Sequence, residues 1–590
     1  MTAVRRLLII VCALAATTMA SAQTTRRTPT KPAPAPAPEP TAVTTNPEQV
    51  SVPTSDQAAT APVTADTDQD VKNPRALHLT LDGAVKTAME RNVGIQLQRY
   101  TTEMAGESLR SQYGLFDWLG TSTISHQSSE QPPSSSLNGF GSRFTLFDFG
   151  VGQVIPTGGS YRLSFNNDRN ATAGGLNLRN PIFDTSLGLS FNQPLARNFG
   201  TDVTERFVTI ARNTLGLDRE LFRSTLINTT NDVEQAYLNL IYARQFVDVV
   251  KEALFLARDQ ARITQIRIDV GASAPLDILQ PRVQIATQEE SLISAVAGVR
   301  NAEDNLRALL HLDPADWDRP IIPDDRIGYV PISIDETAAV ARAFDLRPEV
   351  RENRLTTATR RVQYTYARNQ VRPQVDLGLS YKTAGLGGPA LTVDPLTGQP
   401  TNLLSTSYTT ALKQVVQGTF PTWSVGFTIG VPITNIGARA EAKRAELDLA
   451  QSRTDEEQTR QNITVQVRAA VRLVDTAAKQ ITATRVAREA AEQNLDAERK
   501  RYENGMTTNF QVLQIQQQLS DARVQELNAL VGYNKAVTAY HAAVGDLLDV
   551  RNIKVDEEKV EEPHFPLFSR MERYNWLRYD KSNPSTGEQK

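Results

Sequence analysis

Hydrophobic positions along this chain recur at two periods. From about Asp202 to Val270 no proline occurs, and positions 236, 240, 243, 247, 250, 254, 257, 261, 264 and 268 read Ala, Leu, Ala, Val, Val, Leu, Ala, Ala, Thr and Ile. This 4-3 spacing is a coiled-coil seam, and its alanines let helices approach closely. The seam continues at Leu292, Ala295, Val299, Ala302, Leu306 and Leu309, on a helix predicted over about 275–311. Another helical pattern runs from about Leu81 to Tyr113, with Thr80 as its N-cap. Between these stretches the period falls to two. Phe147, Phe149 and Val151 alternate with polar or small residues, as do Tyr161, Leu163 and Phe165, and Leu187, Leu189 and Phe191. These are strands with one apolar and one polar face. A candidate strand at 120–127 alternates poorly, and Gly158-Gly159 signals a tight turn.

The same order then recurs. A helix is predicted over 335–371, a strand over Val375–Tyr381, and a loop of roughly 35 residues follows. A strand over Val425–Val431 leads to helices over about 437–503 and 508–547. Carrying the first seam forward by 234 positions places Arg488 and Glu498 on the second, so that seam is less apolar. Two short stretches match closely. Arg267-Ile-Asp-Val-Gly-Ala-Ser-Ala-Pro-Leu-Asp-Ile-Leu-Gln280 and Arg501-Tyr-Glu-Asn-Gly-Met-Thr-Thr-Asn-Phe-Gln-Val-Leu-Gln514 each separate two long helices. Gly271 and Gly505 sit where a helix C-cap needs a left-handed residue. Pro275 suits a first helical turn, and Thr508 with Gln511 forms a capping-box pattern. Each stretch reads as the tip of a helical hairpin, so the hairpin is duplicated.

Lengths convert to distances. A helix of about 67 residues spans roughly 100 Å, so the chain builds something elongated. The strands carry Gly, Ser, Thr and Asn on one side, which suits lipid on the apolar face and water on the other. A lipid-embedded sheet tolerates no open edge, and four to six strands cannot close around an aqueous lumen. A membrane barrel from this chain therefore requires several copies.

Composition narrows the setting. Arg5 and Arg6, an apolar run from Leu7 to Ala16 and Ala20-Ser21-Ala22 read as a secretory signal peptide over 1–22. Its removal takes Cys12, the only cysteine, and moves the net charge from −3 to −5. Disulfides, thiolate chemistry and nucleic-acid binding are then not expected. Residues 23–76, with Lys31-Pro-Ala-Pro-Ala-Pro-Ala-Pro-Glu-Pro40, read as a disordered linker. No run of 18 apolar residues follows, so no membrane helix is expected. The five histidines have no ligand spacing, and Gly385-Leu-Gly-Gly388 opens no helix as a phosphate loop would. No catalytic residue, metal site or cofactor is indicated.

The order of elements, together with Leu79-Thr-Leu-Asp-Gly-Ala-Val-Lys-Thr-Ala-Met-Glu-Arg-Asn92, Gln193-Pro-Leu-Ala-Arg197, Arg347-Pro-Glu-Val350, Val431-Pro-Ile433 and both tips, resembles the TolC-like outer membrane efflux protein family. The resemblance covers about 77–548. It implies a mainly α chain with membrane β structure. A duplicated helical-hairpin and β-hairpin repeat (77–320 and 321–550, with a tail over 551–590) would form a homotrimer. That trimer would carry a 12-stranded outer-membrane barrel continuous with a long periplasmic α-helical barrel. It further implies a passive channel of a tripartite efflux or type I secretion system. Its partners would be a periplasmic adaptor, an inner-membrane pump of RND or ABC type, and outer-membrane lipid. Adaptor docking maps to Val270, Gly271, Ala272 and Ser273 and to Asn504, Gly505, Met506 and Thr507. The periplasmic gate maps to Asp277, Tyr502, Gln511 and Gln514. Glutamines replace the family's acidic ring and Thr507 its arginine, so closure is expected to rest on neutral hydrogen bonds, each worth about 1 kcal/mol net. Surplus strand signal at 144–167 reads as an extended or extracellular hairpin. A periplasmic or secreted coiled-coil scaffold without a pore is the alternative.

Overall fold

A computed structural model describes residues 70, 73–130, 132, 141–173, 179–393, 400–404 and 406–555. The expected signal peptide, most of the expected linker and residues 556–590 of the tail lie outside them. Strand β1 (Leu77–Leu79) leads into helices α1 (Leu81–Arg91) and α2 (Val93–Tyr113). Four strands follow: β2 (Leu119–Glu130), β3 (Gly141–Val154), β4 (Ser160–Ala173) and β5 (Ile182–Pro194). Helix α3 (Arg206–Asp269) and helix α4 (Leu279–Leu310) form the first long hairpin. After β6 (Ile321–Pro323) come α5 (Glu336–Leu346), α6 (Pro348–Gln370) and β7 (Gln374–Gly387). A small hairpin of β8 (Ala390–Val393) and β9 (Pro400–Leu404) precedes α7 (Tyr408–Gln417) and β10 (Phe420–Gly430). Helices α8 (Ile436–Glu503) and α9 (Asn509–Val544) form the second long hairpin, and a turn, α10 (Leu547–Val550), follows.

The long helices match their seams. Helix α3 has 64 residues and α8 has 68, each about 100 Å at 1.5 Å per residue. Leu240, Val247, Val250, Leu254 and Ala257 of α3 are buried with Leu292, Ala295, Val299 and Leu306 of α4. Two of the predicted helices are broken. The 81–113 pattern stops at Asn92, whose extended backbone and side chain cap α2 by accepting from Ile95 N. The 335–371 pattern breaks at Arg347, because Pro348 forces the preceding residue out of helical geometry. Arg347 then serves three partners. Its guanidinium forks onto Glu349, Nη2 also donates to Gln466 Oε1 at 3.1 Å, and Nη1 donates to Ala543 O in the last turn of α9 at 3.0 Å.

Charges are buried where helices and connector meet. Glu303 is fully buried and receives Arg244, Arg300 and Arg307 at 2.7, 3.2 and 3.1 Å, plus the Ile321 backbone N–H. The Pro-rich connector is thereby fixed, and its β6 pairs parallel with β1, an element too short to read from periodicity. Glu234, also buried, accepts from Thr538 Oγ1 at 2.7 Å and Arg551 Nε at 2.5 Å. The second seam's Arg488 meets Glu492 at 2.8 Å and Glu526 at 2.5 Å, and Arg523 bridges Glu492 and Glu252 at 3.1 and 2.6 Å. A charged layer thus joins α3, α8 and α9.

One antiparallel sheet holds six strands in the order β10-β7-β5-β4-β3-β2. Twelve strands over three chains would mean four per chain, whereas the sheet of this chain holds six. The surplus strand signal at 144–167 belongs to an extended hairpin, β3–β4. It pairs along its length with β2 on one side and β5 on the other. One face carries apolar side chains in register: Trp423, Tyr381, Leu189, Leu163 and Val151 lie in one cross-strand row. The row beside it on the opposite face reads Thr422, Lys382, Gly188, Ser164, Gly150 and Thr121. The expected 35-residue loop is partly ordered. Helix α7 lies on the apolar face at the end of β7, so close that a Cβ on Gly385 or Gly387 would strike the backbone carbonyls of Ala411 or Ser407. Among the described residues no helix is long and apolar enough to cross a membrane.

The packing of α6 generates a pH prediction. Burial, with the nearby Glu349 and Glu220 carboxylates, raises Glu352 to about 7 from 4.5, against the lowering effect of Arg347. Its Oε1 is buried without a hydrogen-bond partner. The folded chain then holds a proton that the unfolded chain releases between pH 4.5 and about 7, and stability falls as pH rises through that window. Glu352→Gln removes the penalty. After discounting for partial exposure, it is expected to stabilise the protein by about 1 kcal/mol at pH 8 and by nothing at pH 4. Denaturant unfolding at the two pH values checks this, and a pH-independent difference counts against it.

Candidate functional site: the paired hairpin tips

The two tips are built alike. In the first, Gly271 N donates to Ile268 O at 2.9 Å and Ala272 N to Arg267 O at 2.7 Å. In the second, Gly505 N donates to Tyr502 O at 3.0 Å and Met506 N to Arg501 O at 2.8 Å. Both pairs are Schellman closures, and both glycines have φ of +73°. Nothing lies within 4 Å of where a Cβ would sit on either. The requirement for glycine is therefore conformational and not steric crowding.

The restarts differ. After Gly271 the chain makes a 3-10 turn, Pro275–Ile278, with proline in the first positions, before α4 begins. The Asp277 carboxylate accepts from Ala274 N at 3.1 Å, closing that turn. After Gly505, Thr508 caps α9 by accepting from Gln511 N at 3.4 Å. Asp277 thus has a local structural role, and Gln511 contributes its backbone N–H to the cap.

Of the residues assigned to docking, Val270, Gly271, Ala272, Asn504, Gly505 and Met506 are exposed, while Ser273 and Thr507 are half-buried. Large apolar side chains stand in water beside them. Val270 is 72% exposed, Leu276 74% and Met506 69%. Of the residues assigned to the gate, Asp277, Gln511 and Gln514 are exposed, but Tyr502 is buried. Tyr502 packs with Leu495, Val512, Ile515 and Leu519 of the second hairpin and with Leu256 and Ile263 of α3.

One residue missed by the sequence reading joins the tips. Arg267 of the first tip donates from Nη1 to Tyr502 O at 2.6 Å, and its guanidinium lies 4.6 Å from the Tyr502 ring centroid. The contact between tips therefore includes a cation, where only neutral hydrogen bonds were expected. The signal was present: Arg267 opens its motif as Arg501 opens the other. Neutral contacts complete the junction. Gln260 Nε2 donates to Asn509 Oδ1 at 2.7 Å, Asn509 Nδ2 to Asp277 O at 3.4 Å, and Gln284 Nε2 to Gln517 Oε1 at 3.0 Å.

A long hairpin pair ending in matched tips, joined to a sheet with one lipid-compatible face, can now be compared with known proteins. The model of the outer membrane efflux protein family matches residues 159–311 and 339–546. The chain belongs to the outer membrane efflux protein family. It is 23% identical over 347 residues to the outer membrane efflux protein BepC of Brucella suis biovar 1, covering 58% of this chain and 68% of BepC. Its fold is similar to that of the Campylobacter jejuni CmeC outer membrane channel, with TM-score 0.55 and 16% identity over 87% of this chain and 94% of CmeC. The outer membrane protein VceC of Vibrio cholerae is similar with TM-score 0.56 and 14% identity, covering 79% of this chain and 96% of VceC. The family makes channels, not enzymes, and the chain is an outer membrane efflux channel.

Losing the Arg267 contact is expected to loosen the tips by about 1–2 kcal/mol. Arg267→Ala should raise ion conductance of the purified channel in planar bilayers, with Arg267→Lys intermediate. Equal conductance for all three would show that the junction does not restrict the channel.

Proposed function

We propose that three copies of this chain form the outer-membrane duct of a tripartite efflux or type I secretion system. The six-stranded sheet carries the reading. It exposes apolar side chains on one face and polar ones on the other, and among the described residues its edge strands β2 and β10 have no strand on their outer sides. Only further copies complete such a sheet in lipid. The paired long helices then hang into the periplasm as a coiled-coil tunnel. A soluble scaffold has no use for Leu163, Leu189, Val425 and Phe427 exposed together on one face.

In this reading the tips are where closure and docking meet. Val270 to Ser273 and Asn504 to Thr507 present a mostly exposed surface to a periplasmic adaptor, which connects the duct to an inner-membrane RND or ABC pump. Tyr502, held by Arg267, with Asp277, Gln511 and Gln514 around it, forms the periplasmic gate. The duct is passive, so energy and most selectivity lie with the pump. The repeats over 77–320 and 321–550 supply equivalent tips, and residues 1–22 direct export of the chain.

Proline cannot adopt the φ of +73° that both tips require. The double variant Gly271→Pro, Gly505→Pro is expected to stay in the outer membrane as a trimer while crosslinking to the adaptor and export are lost. Export at the unmodified level would refute tip docking. Recovery of the unmodified protein as a soluble monomer after fractionation would refute the duct itself.

A further inference from the structure

We propose that each chain contributes six full strands to the membrane barrel, so that three copies close an eighteen-stranded pore through seams between β10 of one copy and β2 of the next. This rests on the trimeric duct proposed above. It concerns the hairpin β3–β4, which the four-strand expectation leaves without a place.

The hairpin has the dimensions of a barrel element. Strands β3 and β4 have 14 residues each, against 13 for β5 and 14 for β7. Its apolar side chains continue the band of its neighbours. Leu187 of β5 faces Phe165, Phe165 faces Phe149, and Phe149 faces Ser122 of β2. A hairpin folded away from the membrane would leave that band ending at Leu187 and would place Phe147, Phe149 and Leu163, all more than 40% exposed, in water.

The hairpin is also fixed at the end nearest the helices. Ile155 N donates to Gly159 O at 2.8 Å and Gly158 N to Ile155 O at 2.9 Å, closing the turn. Gly200 N donates to Thr157 O at 3.1 Å, and Gln193 Nε2 to the same oxygen at 3.2 Å. Gly158 has φ of +90°, and a Cβ there would strike Asn198 O. The turn is thus socketed where β5 passes into α3. On its other side, buried Gln153 takes the Tyr161 hydroxyl at 2.5 Å and donates to Phe116 O at 2.6 Å, tying the hairpin to the start of β2. The added strands therefore begin at the same level as the rest.

The edges permit closure. The six strands alternate in direction, so β2 and β10 run opposite to each other. Antiparallel pairing thus continues across each seam between copies. With strands about 4.8 Å apart and tilted by about 40°, eighteen strands enclose a barrel roughly 36 Å across between backbones, against roughly 24 Å for twelve.

Electron cryo-microscopy of the purified trimer in lipid nanodiscs, viewed along its axis, counts the strands. Eighteen are expected, and twelve would overturn the proposal while leaving the duct intact. Nitroxide labels on Phe149→Cys and Leu163→Cys give a second readout, since Cys12 is the chain's only other cysteine. Both labels should be relaxed by oxygen dissolved in lipid. Relaxation by a water-soluble nickel chelate instead would place the hairpin outside the membrane and overturn the proposal. A monomer that never enters lipid would overturn the duct reading and this one with it.

Discussion

The sheet's two edges govern the rest of the molecule. Along β2 and β10 the outer edge of the backbone pairs with no other strand among the described residues. In hydrocarbon each unpaired backbone N–H or C=O group costs several kcal/mol, far more than any single side-chain contact in the protein returns. A chain with this sheet has to meet copies of itself. In the proposed duct the long helices would supply the means, since helices rich in alanine approach closely over about 100 Å of length. Lipid compatibility of one end thus depends on aqueous packing at the other.

Packing by small apolar residues alone leaves register weakly defined, since one alanine resembles the next. Polar groups at chosen levels remedy this. Glu303 with three arginines, Glu234 with Thr538 and Arg551, and the Arg488–Glu492–Arg523–Glu252 layer each fit only one alignment of the helices. Shifting a helix by one turn would strand buried charges, at a cost of about 3–5 kcal/mol for each broken pair. Of the two departures of the second seam from apolar character, Arg488 belongs to that layer, while buried Glu498 is paired within its own helix, with Arg501 at 3.2 Å.

Much of this was legible in the sequence. The 4-3 spacing located α3, α4, α8 and α9, and the glycines located both tips. The strands from Phe147 to Phe191 were visible because alternation is a strong signal where one face meets apolar surroundings. What alternation does not carry is partnership. The alternation of Phe147–Phe165 does not show whether the hairpin stands within the sheet or beyond it; its place comes from the pairing of β3 with β2 and of β4 with β5. Strand β2 was weak because its row positions are Gly120 and Ser122. The breaks at Asn92 and Pro348 had local signals, outweighed by continuing periodicity. Arg267 escaped notice because its partner is 235 positions away.

The tips have a further consequence. Their backbone is held by two hydrogen bonds and one left-handed glycine each, with open space around the glycine. Neighbouring side chains such as Val270, Ala272 and Met506 take no part in that closure. They are free to change without disturbing the turn, while Arg267 and Tyr502, one helical turn back, hold the tips together. In the proposed duct, recognition and sealing would then be encoded in separate residues a few ångströms apart. A lineage could exchange one adaptor for another by surface substitution and inherit an unaltered seal.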